Sequence, residues 1–406
     1  MTIFFSVGEP SGDLHGANLI RRLRERMGPG ARFVGLGGPR MEAEGCELQT
    51  DLTKLAVMGF LQVFWKLPQF FRLAAQAKAY FRGHRPDAVV LIDFPGFNWH
   101  IARHAKRAGV PVFYYGTPQL WAWAPWRVKK MRRWVDHALC KLPFEEDWLR
   151  ERGCNATHVG HPYFDELRER RLDEEFVTEQ RDAAGPLVAL LPGSRTQEVK
   201  ANFRWQLEAA KKIAASVPGA RFAVAAFKEK HAAMARRAIA DAGFTSESAP
   251  VVHVGRTPEL IEAATCCLAV SGSVSLELLH HATPTAIIYH VSPFAFWMQG
   301  FFRKVRYITL VNLLTTDDLF PREVGLYDPS NAADAHVLMP EYLTCVDRSD
   351  ELAQHAIEWL TDADAREKLS QDMAGLRERV GGGGASLRAA DYISDELSRD
   401  AVSEAA

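Results

Sequence analysis

Thr2-Ile3-Phe4-Phe5-Ser6-Val7-Gly8-Glu9-Pro10-Ser11-Gly12-Asp13 is the stretch whose reading decides the fold. Ile3–Val7 is a short run of β-forming apolar residues and reads as a buried strand. Gly8–Asp13 reads as a loop of turn residues. Beyond it, apolar residues at 14, 19, 20, 23 and 27 describe one face of a helix. The same order returns at Leu187-Val188-Ala189-Leu190-Leu191-Pro192-Gly193-Ser194-Arg195, with a helix expected from near Glu198 to Ser216. Further strands are expected at Arg32–Leu36, Ala88–Ile92 and Val110–Tyr115. In the second half they are expected at Arg221–Ala226, Val251–Val254, Cys267–Val270 and Thr285–Tyr289. Strand–helix alternation of this kind predicts α/β halves, each a doubly wound parallel sheet. Asp165–Gly185 is dense in charge and poor in large apolar residues, so it reads as a surface helix and linker. The expected divisions are 1–170, 185–360 and 361–406, with a hinge at Gly381–Gly384 and a last helical segment at Ala385–Arg399.

Composition narrows the function. The 406 residues are 47% apolar and 24% charged, enough to build sizeable cores. Lys plus Arg number 49 against 50 for Asp plus Glu, so bulk charge would not hold the chain on nucleic acid. The cysteines at 46, 140, 154, 266, 267 and 345 form no CxxC pair, which points to buried free thiols rather than disulfides or zinc. The apolar opening is broken at once by Gly8-Glu9-Pro10, unlike a secretory signal. Leu55–Trp65 falls far short of the ~20 residues that span a bilayer.

Four loops carry the candidate chemistry. Gly8, Glu9, Ser11, Gly12 and Asp13 lie at the carboxyl end of a strand, where such sheets bind ligands; a capped turn is the alternative. Gly193, Ser194 and Arg195 combine close backbone approach, a helix start and a guanidinium, a pattern suited to phosphate. Ser271, Gly272 and Ser273 form a second loop of this type, with Glu277 about a turn further on as a ribose ligand or as an exposed helix-face carboxylate. Asp93, ending an apolar strand in Ile92-Asp93-Phe94-Pro95-Gly96-Phe97-Asn98, reads as a general base or as a turn-capping carboxylate. Two aromatic–basic segments suit a bilayer interface or acyl groove better than a single buried face. The first includes Phe60, Phe64, Trp65, Phe70 and Phe71; the second includes Phe296, Trp297, Phe301 and Phe302. Trp121–Arg133 reads as a short basic helix behind aromatics. Asp362-Ala363-Asp364 imitates a metal motif but reads as a helix cap. His280-His281 has no metal-ligand partner at suitable spacing and reads as structural.

In order along the chain stand GEPSGDLHGANLIRRL, VGLGGPRMEAEGC, LAVMGF, IDFPGFN, PQLWAWAPWRV, LPGSR, SGSVSLELL and VNLL. Together they resemble the lipid-A-disaccharide synthases over most of the chain. The resemblance implies a GT-B fold, two Rossmann-like halves facing across a cleft, with the terminal helices packed back on the N-terminal half. It implies transfer from UDP-2,3-diacylglucosamine to 2,3-diacylglucosamine 1-phosphate, peripheral to the cytoplasmic face of the inner membrane. Asp93 matches the family's catalytic carboxylate, Arg195 its diphosphate arginine and Glu277 its ribose glutamate. Asn312 matches the Asn of its Asn-Leu segment. The family Pro-Glu falls at Pro340-Glu341, past an insertion around Thr315–Met339, or at Pro321-Arg322-Glu323. Gly96 stands where the family often has Asp, and Val311 where it usually has Pro. No metal or cofactor is called for, because loop dipoles and Arg195 would hold the leaving diphosphate, and a homodimer is left open. A UDP-sugar epimerase on the same fold is the enzymatic alternative, and an idle nucleotide or lipid carrier the other; Asp93 speaks against the carrier.

Overall fold

The computed structural model describes residues 1–56, 60–245 and 248–405, with side chains for all of these except 56, 60–66 and 400–405. It divides into two compact units, Met1–Arg168 with Gly383–Ala406, and Glu169–Gly382.

The first unit is built on seven strands: β1 (Thr2–Val7), β2 (Arg32–Gly37), β3 (Glu47–Asp51), β4 (Ala88–Ile92), β5 (Val112–Tyr115), β6 (His137–Cys140) and β7 (Ala156–His158). They pair in parallel in the order β3-β2-β1-β4-β5-β6-β7. All five residues of β4 are buried, as expected of a central parallel strand covered on both faces. The second unit has β8 (Leu187–Leu191), β9 (Arg221–Ala226), β10 (Val251–Val254), β11 (Cys266–Val270), β12 (Thr285–His290) and β13 (Glu341–Thr344). Their order is β10-β9-β8-β11-β12-β13, again parallel throughout.

The helix after β1 spans Pro10–Met27, so the expected loop shortens to Gly8 and Glu9. Proline at the first helical position lacks only an amide that would have no helical partner there anyway. β3, β6, β7 and β13 were not foreseen. They are five, four, three and four residues long, too short to show a period. The helix Ala363–Val380 lies in the second unit. The helix Ala385–Ala405 lies in the first, where Ala389, Ala390, Ile393 and Leu397 join the core around β1 and the helix Pro10–Met27. Five of the six cysteines are buried and all six are free thiols.

Candidate functional site

Strand order in the first unit reverses between β1 and β4, the position where open parallel sheets take their ligands. Val7 pairs with Ile92, so Gly8 and Asp93 leave the sheet side by side. Asp93 and Phe94 then adopt left-handed φ angles of 47° and 42°. Residues with a Cβ are strained there, at a cost of order 1–3 kcal/mol each. The turn is pinned from both sides. Asn98 Nδ2 donates to the carbonyls of Asp93 (2.8 Å), Ile92 (3.2 Å) and Ser6 (3.2 Å), and the Tyr114 hydroxyl donates to the Asp93 carbonyl (2.7 Å). Asn98 Oδ1 in turn accepts from Ser6 Oγ at 2.7 Å.

The neighbouring glycines make room for this turn. A Cβ on Gly8 would lie 2.4 Å from the Phe94 ring, and one on Gly12 would lie 3.4 Å from Asp93 Oδ2. The Asp93 carboxylate therefore sits over the first turn of Pro10–Met27. Its Oδ1 accepts from Lys141 Nζ at 3.4 Å, while Oδ2 accepts no hydrogen bond among the described residues. Burial alone would lower the Lys141 ammonium's pKa, but Asp93, Glu145 and Glu9 outweigh that and hold it above the ordinary lysine value. Burial holds the nearby His15 and His161 imidazoles below the ordinary histidine value. Asn98, Tyr114 and Lys141 were not anticipated as functional. Asn98 closes the quoted motif; the other two come from distant strands with no local signal.

Asp13 corrects an expectation. Its carboxylate is buried and accepts from the amides of Gly38 (2.9 Å), Arg40 (3.0 Å) and Met41 (3.1 Å), so it caps the short helix Pro39–Ala43 instead of opening toward a ligand. Glu9 and Ser11 stay exposed at the helix start.

In the second unit the order reverses between β8 and β11, and both anticipated loops leave the sheet at that point. Gly193 holds φ at 109°, and a Cβ there would meet the Glu198 side chain at 2.7 Å. Glu198 Oε2 accepts from the amides of Ser194 and Arg195, at 3.1 Å each, and Oε1 from Arg195 Nη1 at 2.9 Å. Those two amides, expected to face phosphate, are thus closed by the chain's own carboxylate. The Arg195 side chain is 77% exposed and remains the loop's outward cation. In the second loop Gly272 and Ser273 are exposed, while Ser271 Oγ donates to the Ile308 carbonyl at 2.8 Å.

Glu277 is neither a solvated carboxylate nor an open one. It is buried and ion-paired with Arg170. Asn312 and Glu341 are joined: Asn312 Nδ2 donates to Glu341 Oε2 (2.9 Å) and to the Met339 carbonyl (2.7 Å). Glu341 also accepts from the Ile308 amide (2.6 Å), the Thr309 amide (3.0 Å) and the Thr309 hydroxyl (2.6 Å). Burial pushes this carboxyl up to about 7 against those donors. The pair holds the segment from Val305 to Leu314, including the short helix Leu310–Leu313, from inside, which corrects the expectation that both meet substrate. It also selects Glu341 over the exposed Glu323 as the acid that accompanies Asn312.

The aromatic segments separate. Phe70 is buried against Phe94 and Phe97, each ring pair 5.7 Å apart, so it belongs to the core and not to a lipid surface. Phe71 is 59% exposed. The side chains of Phe60, Phe64 and Trp65 lie outside the described residues. The helix Pro293–Phe302 buries no residue; Phe294, Trp297 and Phe301 are 70%, 59% and 61% exposed, Phe302 is exposed and Phe296 is half-buried. Arg127, Lys129, Lys130, Arg132 and Arg133 form an exposed basic face beside Trp126. Asp362 accepts from the Ala365 amide at 3.0 Å as a helix cap, and His281 Nδ1 meets Glu262 at 2.5 Å.

Comparison with known proteins fixes the family. A model described as lipid-A-disaccharide synthetase matches residues 3–363. The lipid-A-disaccharide synthase of Myxococcus xanthus (strain DK1622) is 32% identical over 401 residues, 97% of both chains. That of Coxiella burnetii (strain Dugway 5J108-111) is 33% identical over 320 residues, 78% of this chain and 82% of its own. Among solved structures, the S. aureus MnaA–UDP structure aligns with a TM-score of 0.64 at 12% identity, covering 98% of this chain and 97% of that one. The glycotransferase of kitacinnamycin aligns at 0.57 and 17%, covering 98% and 99%. At such identities these structures establish the fold, GT-B, and no more. The sequence match, spanning nearly the whole chain and reaching full-length relatives, places this chain in the lipid-A-disaccharide synthetase family, a family of glycosyltransferases acting in lipid A biosynthesis.

Proposed function

We propose that this protein transfers the diacylglucosaminyl group of UDP-2,3-diacylglucosamine to the 6-hydroxyl of 2,3-diacylglucosamine 1-phosphate, with inversion, giving the β-1,6 disaccharide 1-phosphate and UDP. Asp93 takes the hydroxyl proton as the new bond to the anomeric carbon forms. The bond from that carbon to UDP breaks, and UDP leaves with the electron pair. The observation that carries this reading is the strained, doubly pinned turn at Asp93, whose Oδ2 is left open at the strand-order reversal of the first sheet. Strain of this kind persists where the surroundings over-determine it, and it clusters at active sites.

The second unit takes the UDP moiety. Arg195 and the Ser271–Ser273 loop receive the diphosphate at the second strand-order reversal, where exposed loop residues precede a helix. Glu277, one turn into that helix, takes the ribose hydroxyls in exchange for its ion pair with Arg170. The exposed aromatics of Pro293–Phe302 and Phe71 take up acyl chains or the membrane surface, with the protein peripheral to the cytoplasmic face of the inner membrane. No described helix is long and apolar enough to cross a membrane, so contact at the surface is the form this reading gives it.

The test is mass spectrometry of products after mixing the protein with both diacylated substrates. The expected product is the disaccharide 1-phosphate together with stoichiometric UDP. UDP release without disaccharide, or conversion of UDP-N-acetylglucosamine alone to an epimer, would overturn the reading in favour of hydrolysis or epimerisation.

A further inference from the structure

Lys141 lies outside every motif that pointed to function, yet it is held at three points. Its amide, with that of Leu142, donates to Glu145 Oε2 at 3.0 and 3.1 Å. Glu145 is buried and is itself fixed by Trp121 Nε1 (2.9 Å) and Thr117 Oγ1 (3.3 Å). The Lys141 stem lies over Gly116, where a Cβ would stand 3.4–3.6 Å from Cδ, Cε and Nζ and where φ is 72°. Its ammonium ends 3.4 Å from Asp93 Oδ1, with the two side chains 17% and 22% exposed. The other titratable groups facing this pair are Glu145, Glu9, His15 and His161.

A free carboxylate rotates about its last torsion and presents either oxygen. Here one oxygen is taken by a cation whose backbone and stem are both fixed, and the other lies over Gly12 with no hydrogen-bond partner among the described residues. We infer that Lys141 is a positioning residue for the reaction: its ammonium holds Oδ1 so that Oδ2 alone meets the acceptor hydroxyl in line with the anomeric carbon. This rests on the reading of Asp93 as general base. The proton passes from the acceptor hydroxyl to Oδ2, and Lys141 keeps its own protons throughout. Arginine would keep the charge but not the fit over Gly116; methionine would keep the stem and lose the charge.

The experiment is steady-state kinetics with both diacylated substrates on Lys141→Met, Lys141→Arg, Asp93→Asn and the Asp93→Asn/Lys141→Met double variant. Lys141→Met is expected to lower kcat by on the order of 10²-fold, the scale of a misplaced reacting group, with both KM values little changed. Lys141→Arg should fall between that variant and wild type. Once Asp93 is Asn, removing Lys141 should cost nothing further, whereas a merely structural lysine would cost the same factor in either background. Lys141→Cys, assayed on one folded preparation before and after aminoethylation, should regain turnover as the ammonium is restored. Wild type treated alike controls for Cys345, the one cysteine that is not buried. Wild-type kcat in Lys141→Met, or an equal loss in both backgrounds, overturns the inference while leaving Asp93 as the base. Wild-type turnover in Asp93→Asn overturns both.

Discussion

Asp93 and Phe94 occupy a backbone region that side-chain-bearing residues avoid, and the fold keeps them there with donors from Asn98 and Tyr114. Phe94 is wedged against Gly8 while Phe70 and Phe97 pack beside it, so the turn cannot relax without opening the core. Asp93→Asn is expected to cut kcat by roughly 10²–10⁴, the range for loss of a general base, with UDP affinity by calorimetry unchanged. Asn98→Ala removes a buried group that makes four hydrogen bonds. It should destabilise the protein by roughly 1–3 kcal/mol in denaturant titration, and lower kcat as well if Asp93 is the base proposed above, because the turn that aims it is released. Arg195→Ala should behave in the opposite sense, weakening UDP binding by calorimetry with little effect on the melting temperature, since that side chain is mostly solvated.

At the scale of elements, the helix Pro293–Phe302 is held at its start by Ser292 and presents Phe294, Trp297 and Phe301 to solvent. Each large side chain moved from water into an apolar phase is worth roughly 1.5–3 kcal/mol. Trp297→Ser and Phe301→Ser should therefore each weaken binding to phosphatidylglycerol vesicles by about tenfold or more, read by sedimentation. Neither should shift the melting temperature, as neither residue supports the core. The helix Ser349–Thr361 gives a prediction in pH. Burial pulls His355 from an ordinary value of 6.5 down to about 4, and its Nε2 meets the Tyr342 hydroxyl at 2.8 Å. Between those values the folded chain binds fewer protons than the unfolded one. The resulting stability is complete above pH 6.5 and is lost as pH falls through 4. From pH 7 to pH 4 the melting temperature of wild type should fall more than that of His355→Gln. The loops of both strand-order reversals were legible because glycine, proline and serine punctuate long apolar strands there. β6, β7 and β13 were not, because three or four residues carry no period. The capture of the Ser194 and Arg195 amides by Glu198 was not legible, because Arg195 is none of the Ser, Thr, Asp or Asn residues that mark a helix start. The apposition of Lys141 and Asp93 was not either, since the two lie 48 positions apart and only the pairing of β4, β5 and β6 brings them together.

For the whole molecule, the first unit is assembled from both ends of the chain and the second from an uninterrupted middle. The last helix is docked by more than apolar burial. The Asp165 carboxylate accepts from the amides of Gly384 (2.5 Å), Ala385 (3.1 Å) and Ser386 (2.8 Å) at its start, and Arg388 Nε donates to the Val159 carbonyl at 2.8 Å. Removing residues 385–406 would strip Ile393 and Leu397 from the core of the first unit and leave that unit incomplete. Differential scanning calorimetry of the truncated chain should show a transition from the second unit and none from the first. This arrangement also sets a timetable for biosynthesis. As the polypeptide emerges from the ribosome, residues 169–382 can condense as soon as they clear the exit tunnel. The earlier-made half must wait, with the side of β1's sheet that faces this helix uncovered, until the helix that begins at Ala385 has also been made. The nascent enzyme is therefore most vulnerable to aggregation at the end that was synthesised first, and a holdase would find its binding surface there.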